Sequence, residues 1–155
     1  MKRLGMAAIM LLAGWAQAQP LSPFVSGSLQ QIVESQRGKP FVLMFWSLDC
    51  THCQHDLQQW GKLSQRKPAP SLVLVAVDGP EQQAAIRARL QQYRLSSQPA
   101  WVFADMPEKL RFEIDRRWYG ELPRTYFYDG RQQRKAHSGV LPAAQLEQWA
   151  REHVK

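Results

Sequence analysis

The chain has 155 residues, 45% of them hydrophobic and 21% charged, with a formal net charge of +7 at neutral pH. That length and composition fit one globular domain with a real core rather than a disordered chain. The basic residues are scattered (Arg87/Arg89, Arg116/Arg117, Arg131/Arg134/Lys135), with no Lys/Arg run or aromatic-interleaved stripe, which argues against a nucleic-acid partner. The charge reads instead as a solvated surface with some preference for acidic partners or anionic lipid.

Residues 1–18 are set apart from the domain. Lys2 and Arg3 form a charged start, Leu4 to Trp15 is mostly apolar, and Ala16-Gln17-Ala18 is an A-x-A cleavage pattern. This is the pattern of a secretory signal peptide cut after Ala18, with an apolar core too short to span a bilayer comfortably. A retained anchor is the weaker alternative. No cysteine follows the cleavage point, so lipid attachment is not expected there, and no stable membrane insertion is expected after cleavage. Removal of the leader takes away two cations and no acid, leaving +5. Export places residues 19–155 in an oxidising compartment, most plausibly a bacterial periplasm.

In chain order, Leu21 to Gly38 reads as an N-terminal segment with a short helix over Ser28 to Ser35, ended by Gly38 and Pro40. Phe41-Val-Leu-Met-Phe-Trp46 is six apolar residues in a row, the signature of a strand covered on both faces. A break at Ser47-Leu48-Asp49 delivers Cys50-Thr51-His52-Cys53, and a helix from about Cys50 to Gln65 follows, with Cys53, Leu57 and Trp60 as its buried stripe. Lys67 to Pro70 is a loop, and Leu72 to Val77 a second central strand. Asp78-Gly79-Pro80 stops that strand and opens a helix with Ile86, Leu90 and Tyr93 facing inward. Trp101 to Phe103 is a short strand, followed by a helical segment from about Pro107 to Trp118. A turn then leads into a strand ending at Tyr128, with Asp129-Gly130 as a hairpin signal and Gln132 to Ser138 as the return strand. Pro142 opens the last helix, with Leu146, Trp149 and Val154 as its stripe. The order β-α-β-α-(β-α)-β-β-α predicts an α/β layer fold with parallel central strands and an antiparallel hairpin, and no second domain.

The two cysteines sit where a reactive thiol is favoured. Two intervening residues bring the sulfurs within disulfide reach over one helical turn. The first cysteine meets the unpaired N–H groups and positive dipole of a helix start, which contribute at most about 2 kcal/mol toward a thiolate. His52 adds to this if its ring faces the Cys50 sulfur, whereas Asp49 opposes it. A moderately acidic Cys50, reactive at neutral pH, is the expectation. A purely structural disulfide is the duller alternative, but so short a loop constrains the unfolded chain little.

These residues resemble the thioredoxin superfamily and, within it, the exported TlpA-type thiol–disulfide oxidoreductases, from about Gly38 to Val154. Four features carry the resemblance: Phe45-Trp46 before the redox loop, Cys50-Thr-His-Cys53, the segment Leu122-Pro123-Arg-Thr-Tyr-Phe-Tyr-Asp129, and the exported context with a late helix after Gly139-Val140-Leu141. The resemblance implies a thioredoxin fold, a central mixed sheet flanked by helices on both faces. It implies that Cys50 is the attacking nucleophile and Cys53 the buried resolving thiol. Pro123 would be the family's cis-proline, with Leu122, Pro123 and Thr51 meeting a bound substrate strand.

Three positions depart from the family pattern. Asp49 replaces the tryptophan common before the first cysteine, and Met44 stands where thioredoxin itself has a buried acid. Many TlpA-type proteins place an acid three residues after the second cysteine, and Asp56 stands there, near Cys53 on a helix. It is the candidate for proton transfer at the resolving thiol, with a solvated surface aspartate as the alternative. Thr51-His52 replaces the Gly-Pro of ordinary thioredoxins, and a histidine there resembles the more oxidising members.

The implied activity is dithiol–disulfide exchange with periplasmic protein thiols and disulfides, in the reductase direction by the TlpA-type resemblance, with a membrane thiol reductase as electron donor. The same site run backward would be a thiol oxidase or isomerase. No cofactor is expected. A rival from another class is a copper(I) or zinc metallochaperone using Cys50, Cys53, His52 and His55. It lacks a second C-x-x-C or an H-x-x-H, and covalent haem is disfavoured because Gln54 follows Cys53. A protein-binding module without activity is a third reading. His55, His137 and His153 read as exposed polar residues with no assigned role. Trp46, Trp60 and Trp101 read first as core.

Overall fold

A computed structural model describes residues 20–154. The expected leader, residues 1–18, lies outside them. The elements run β1 (Ser22–Phe24), α1 (Ser28–Ser35), β2 (Phe41–Trp46), α2 (Thr51–Leu63), β3 (Leu72–Ala76), a 3-10 turn (Pro80–Gln82) continuing into α3 (Gln83–Gln92), β4 (Ala100–Phe103), α4 (Pro107–Ile114), β5 (Arg124–Tyr128), β6 (Arg134–Ser138) and α5 (Ala143–His153).

The six strands form one sheet in the order β1-β4-β3-β2-β5-β6. β1, β4, β3 and β2 are mutually parallel, while β5 runs antiparallel to β2 and to β6. This is the mixed sheet expected from two continuous apolar runs followed by a hairpin. β2 and β3 are buried on both faces along their whole length, as central parallel strands must be.

Alternation along the strands divides the core in two. Val42, Met44 and Trp46 face one side, with Leu57 and Trp60 of α2, Ile86 and Leu90 of α3, and Leu146 and Trp149 of α5. Phe41, Leu43 and Phe45 face the other, with Ile32 of α1 and Leu110 and Ile114 of α4. Helices therefore cover both faces. On the α2 side the fit is close enough that a Cβ at Gly61 would collide with the Tyr93 carbonyl oxygen.

Several boundaries differ from the sequence reading, each for a local reason. β1 lies inside the segment read as carrying only a helix; three residues, one of them Pro23, give no periodicity to read. α4 ends at Ile114 instead of Trp118, because Asp115 is extended (φ −162°) and its carboxylate accepts the Arg117 N–H at 3.0 Å. β3 ends one residue early, at Ala76, and Val154 lies past the end of α5. The turn at Asp129-Gly130 spans residues 129–133: the Asp129 carboxylate accepts the N–H groups of Arg131 (2.9 Å) and Gln133 (2.8 Å), and Gln132 takes φ 62°.

Candidate active site

The parallel strands deliver their C-terminal ends to one edge of the sheet, and the two cysteines lie there. The loop leaving β2 is clamped by the end of β3. The buried Asp78 carboxylate accepts the Ser47 hydroxyl at 2.9 Å and the Leu48 N–H at 3.1 Å. The Leu48 carbonyl is in turn held by Arg89 of α3 at 3.4 Å. Asp78 is thus an anchor of the redox loop, which the sequence reading had only as a strand stop.

Cys50 is the N-cap of α2, in extended conformation (φ −88°, ψ 100°), and its Sγ accepts the Cys53 N–H at 3.1 Å. A sulfur occupies the place where Ser or Asp usually satisfies the first-turn donors. Cys50 is half-buried while Cys53 is wholly enclosed by the core. Their Cα atoms are 5.2 Å apart and their sulfurs are joined in a disulfide. The arrangement gives one sulfur that a partner can reach, at a helix end that favours its anion, and one that only its neighbour can reach.

Thr51 and His52, between the cysteines, are both exposed. The His52 ring makes no hydrogen bond to Cys50. Asp56, one turn beyond Cys53, is a buried side chain. Both of its carboxylate oxygens accept the Leu141 N–H, at 3.1 and 3.2 Å, and its Oδ1 lies 3.4 Å from His55 Nδ1. Burial pushes the Asp56 carboxyl above the ordinary carboxylate range, outweighing the Leu141 N–H and His55, which pull it down. The buried stripe at 53, 57 and 60 also passes through 56, so an acid on the inner side of α2 was readable in the helical spacing.

β5 enters beside this site. Its register with β2 pairs Arg124 with Phe45, so one step further places Pro123 beside Trp46, at the same edge of the sheet as the cysteines. The Leu122–Pro123 peptide bond is cis and Pro123 is buried. Leu122 packs against both core clusters.

Beneath this segment lies an ion pair that the sequence reading missed, having given Arg124 and Asp115 no role. Arg124 is buried, and its Nη2 donates to Asp115 at 2.9 Å while its Nε donates to the Tyr126 hydroxyl at 3.1 Å. The same guanidinium reaches Glu121 at 3.4 Å and the Ser138 hydroxyl. Trp118 Nε1 holds the Glu121 carbonyl at 2.9 Å. This network fixes the loop that presents Leu122 and Pro123.

Among the described residues no group of three or more His, Cys, Asp or Glu side chains is placed to hold a metal ion. None of the helices among them is long and apolar enough to cross a membrane.

No protein-family model matches the sequence, and no curated protein matches it either. Solved structures do match in three dimensions. MTB DsbF, solved in mixed oxidized and reduced forms, is 23% identical with a TM-score of 0.62, covering 78% of this chain and 85% of its own. A secreted Mycobacterium tuberculosis disulfide oxidoreductase homologous to E. coli DsbE is 19% identical with a TM-score of 0.60, covering 77% of this chain and 85% of its own. A thioredoxin family thiol:disulfide interchange protein from Chlorobium tepidum TLS is 15% identical with a TM-score of 0.60, covering 90% of this chain and 100% of its own. The sheet order, the helices on both faces and these likenesses agree: the chain has the thioredoxin fold.

Proposed function

We propose that the protein is an exported thiol–disulfide oxidoreductase of the TlpA type, working in the periplasm in the reductase direction after loss of residues 1–18. The observation that carries this reading is the pairing of unlike sulfurs. Cys50 caps a helix and is only half-buried, whereas Cys53 is sealed in the core one turn from a buried carboxyl.

In the reduced form, Cys50 thiolate attacks a client disulfide, forming a mixed disulfide and expelling one client sulfur as thiolate. Cys53 then gives its proton to Asp56 and attacks Cys50 Sγ, and the second client sulfur leaves with the electron pair of the broken bond. Two electrons pass to the client, and the Cys50–Cys53 disulfide of this structure is the product. A membrane dithiol donor would restore the reduced form. Leu122, Pro123 and Thr51 are the residues proposed to meet the client strand. Direction is supported by Asp56: a buried carboxylate with no guanidinium beside it opposes further negative charge at the sulfurs. That favours the disulfide and makes the dithiol a better reductant.

The test is the equilibrium potential of the Cys50/Cys53 pair against glutathione. A value at or below about −200 mV fits a reductant, and one near about −120 mV reverses the direction. Cys53→Ala should accumulate client mixed disulfides on Cys50 in the periplasm. Failure to trap any client would remove the exchange activity itself.

A further inference from the structure

Asp56 belongs to a closed ring of hydrogen bonds. Leu141 N–H donates to its carboxylate, and Leu141 C=O accepts from Gln59 Nε2 at 3.1 Å. Gln59 Nε2 also lies 3.2 Å from His55 Nδ1, which lies 3.4 Å from Asp56 Oδ1. Two side chains of α2 thus hold both backbone groups of one residue in the loop between β6 and α5, and His55 bridges the two.

The contacts in this ring cannot all be full hydrogen bonds in one protonation state, because Nδ1 offers a single in-plane site. Leu141 O only accepts, so the Gln59 atom facing it is the amide nitrogen, whose second N–H points to His55. An imidazole nitrogen carries either a proton or a lone pair. While Nδ1 accepts from Gln59 it has no proton, and any proton in its contact with Asp56 belongs to the carboxyl. If that proton crosses to Nδ1, the Gln59 N–H must withdraw. The ring therefore has two states that differ by the position of one proton. Its outer member, His55, has a side chain 56% exposed to solvent, while Asp56 is sealed off.

We propose that His55 is the exit through which Asp56 passes to solvent the proton taken from Cys53, with Gln59 holding Nδ1 as the acceptor. This rests on the exchange reading above. Cys53 thiol gives its proton to the Asp56 carboxylate, Asp56 gives it to Nδ1, and the resulting imidazolium releases a proton to water from its exposed edge. Electrons move only at sulfur. The charged groups acting on Asp56 are His55 from its own helix and His137 from β6. His137 is committed through Nε2 to the Val140 carbonyl at 3.1 Å. His52, a turn earlier, is exposed and bonded to neither Asp56 nor His55. The loop contributes only backbone, and His55 is the ionisable side chain in hydrogen-bond contact with the buried acid.

The test uses the reduced full-length protein and 5,5′-dithiobis(2-nitrobenzoate), whose coloured thiolate leaves unprotonated. Its first release reports attack by Cys50 and its second reports resolution by Cys53. His55→Ala should slow the second release about tenfold, less than loss of a direct general base, and leave the first unchanged. Imidazole added to the buffer should restore the rate in proportion to its concentration, which no purely structural defect would allow. His55→Gln, which keeps a polar group in place, should match the parent in thermal stability and stay slow. A parental second release in His55→Ala, full restoration by Gln, or indifference to imidazole would overturn the relay. If the parent itself gives no second release, the exchange reading falls, and the relay falls with it.

Discussion

Asp56 and Asp115, two of the aspartates buried among the described residues, have surroundings that separate structure from chemistry. Asp115, at the end of α4, meets the Arg124 guanidinium at 2.9 Å and the Arg117 N–H at 3.0 Å. Burial alone raises its pKa, but the Arg117 N–H and Arg124 outweigh that and hold the carboxyl below its ordinary range. Asp56 has a backbone N–H and an imidazole but no guanidinium, and burial wins. A buried acid with a permanent cation is fixed in charge and can only hold parts together. A buried acid without one is poised to change charge. The first braces the loop that carries Pro123; the second lies one turn from the resolving sulfur.

The largest effect should come from removing the cation. Arg124→Met leaves the buried Asp115 only the exposed Arg117 guanidinium, at 3.7 Å, as an ion-pair partner and should cost about 3 kcal/mol, read as a lower urea midpoint. The folded fraction should keep its rate toward small aromatic disulfides, because Arg124 touches neither sulfur. A loss below about 1 kcal/mol would mean that the pair behaves like a solvated surface bridge, and the contrast between the two acids would vanish.

Asp56→Asn should act the other way round. Removing the proton acceptor should slow release of the second thiolate by about a hundredfold at neutral pH. The same change should stabilise the oxidised protein there, because a desolvated charge is gone while the Leu141 N–H keeps an oxygen to donate to. The sign follows from linkage. A carboxyl raised in the folded state binds its proton more tightly there than in the unfolded chain. Its contribution to stability is therefore present at low pH and lost as pH rises from the ordinary value of 3.8 through the raised one. Asp115, lowered, contributes above its ordinary value and loses that as pH falls. Urea midpoints of Asp56→Asn and the parent should therefore diverge as pH rises from about 4, and Asp115→Asn should diverge from the parent in the opposite sense. Parallel curves for Asp56→Asn would show an acid that titrates as if solvated.

Much of this was legible in the sequence, and what was missed has a common cause. The strand Phe41–Trp46, the helix Ser28–Ser35 and the placing of Cys50 at a helix start follow from apolar runs, turn residues and spacing, all of them local. The partners of the buried Asp56, Asp115 and Asp78 were not legible, because which distant backbone or side chain meets a buried acid depends on the fold. Asp56 needs Leu141, 85 residues away, and Asp78 needs Leu48, 30 residues away. Arg124 was read only as part of the segment entering a strand, and its partner Asp115 lies in what was read as the last turn of a helix. His55 was set aside as an exposed histidine. Exposed it is, yet it touches a group that is not, and only the fold supplies that neighbour.

The smallest and most discriminating effect should come from Gln59. Its amide bridges Leu141 O and His55 Nδ1, so Gln59→Met removes two hydrogen bonds at a half-buried position and should cost about 1 kcal/mol. At neutral pH the second thiolate release should change by less than about threefold, since acid and imidazole both remain. The pH profile should respond more clearly. Without the amide, Nδ1 is free to keep a proton and face an ionised Asp56 as a cation, which lowers the carboxyl's pKa. The acid limb of the second release should then move to lower pH. Gln59→Glu places a like charge beside the same acid and should move that limb to higher pH. Opposite displacements would show that the ring sets the proton affinity of Asp56. Displacement in the same direction would assign the tuning to burial alone and reduce Gln59 to a brace for the loop at Leu141.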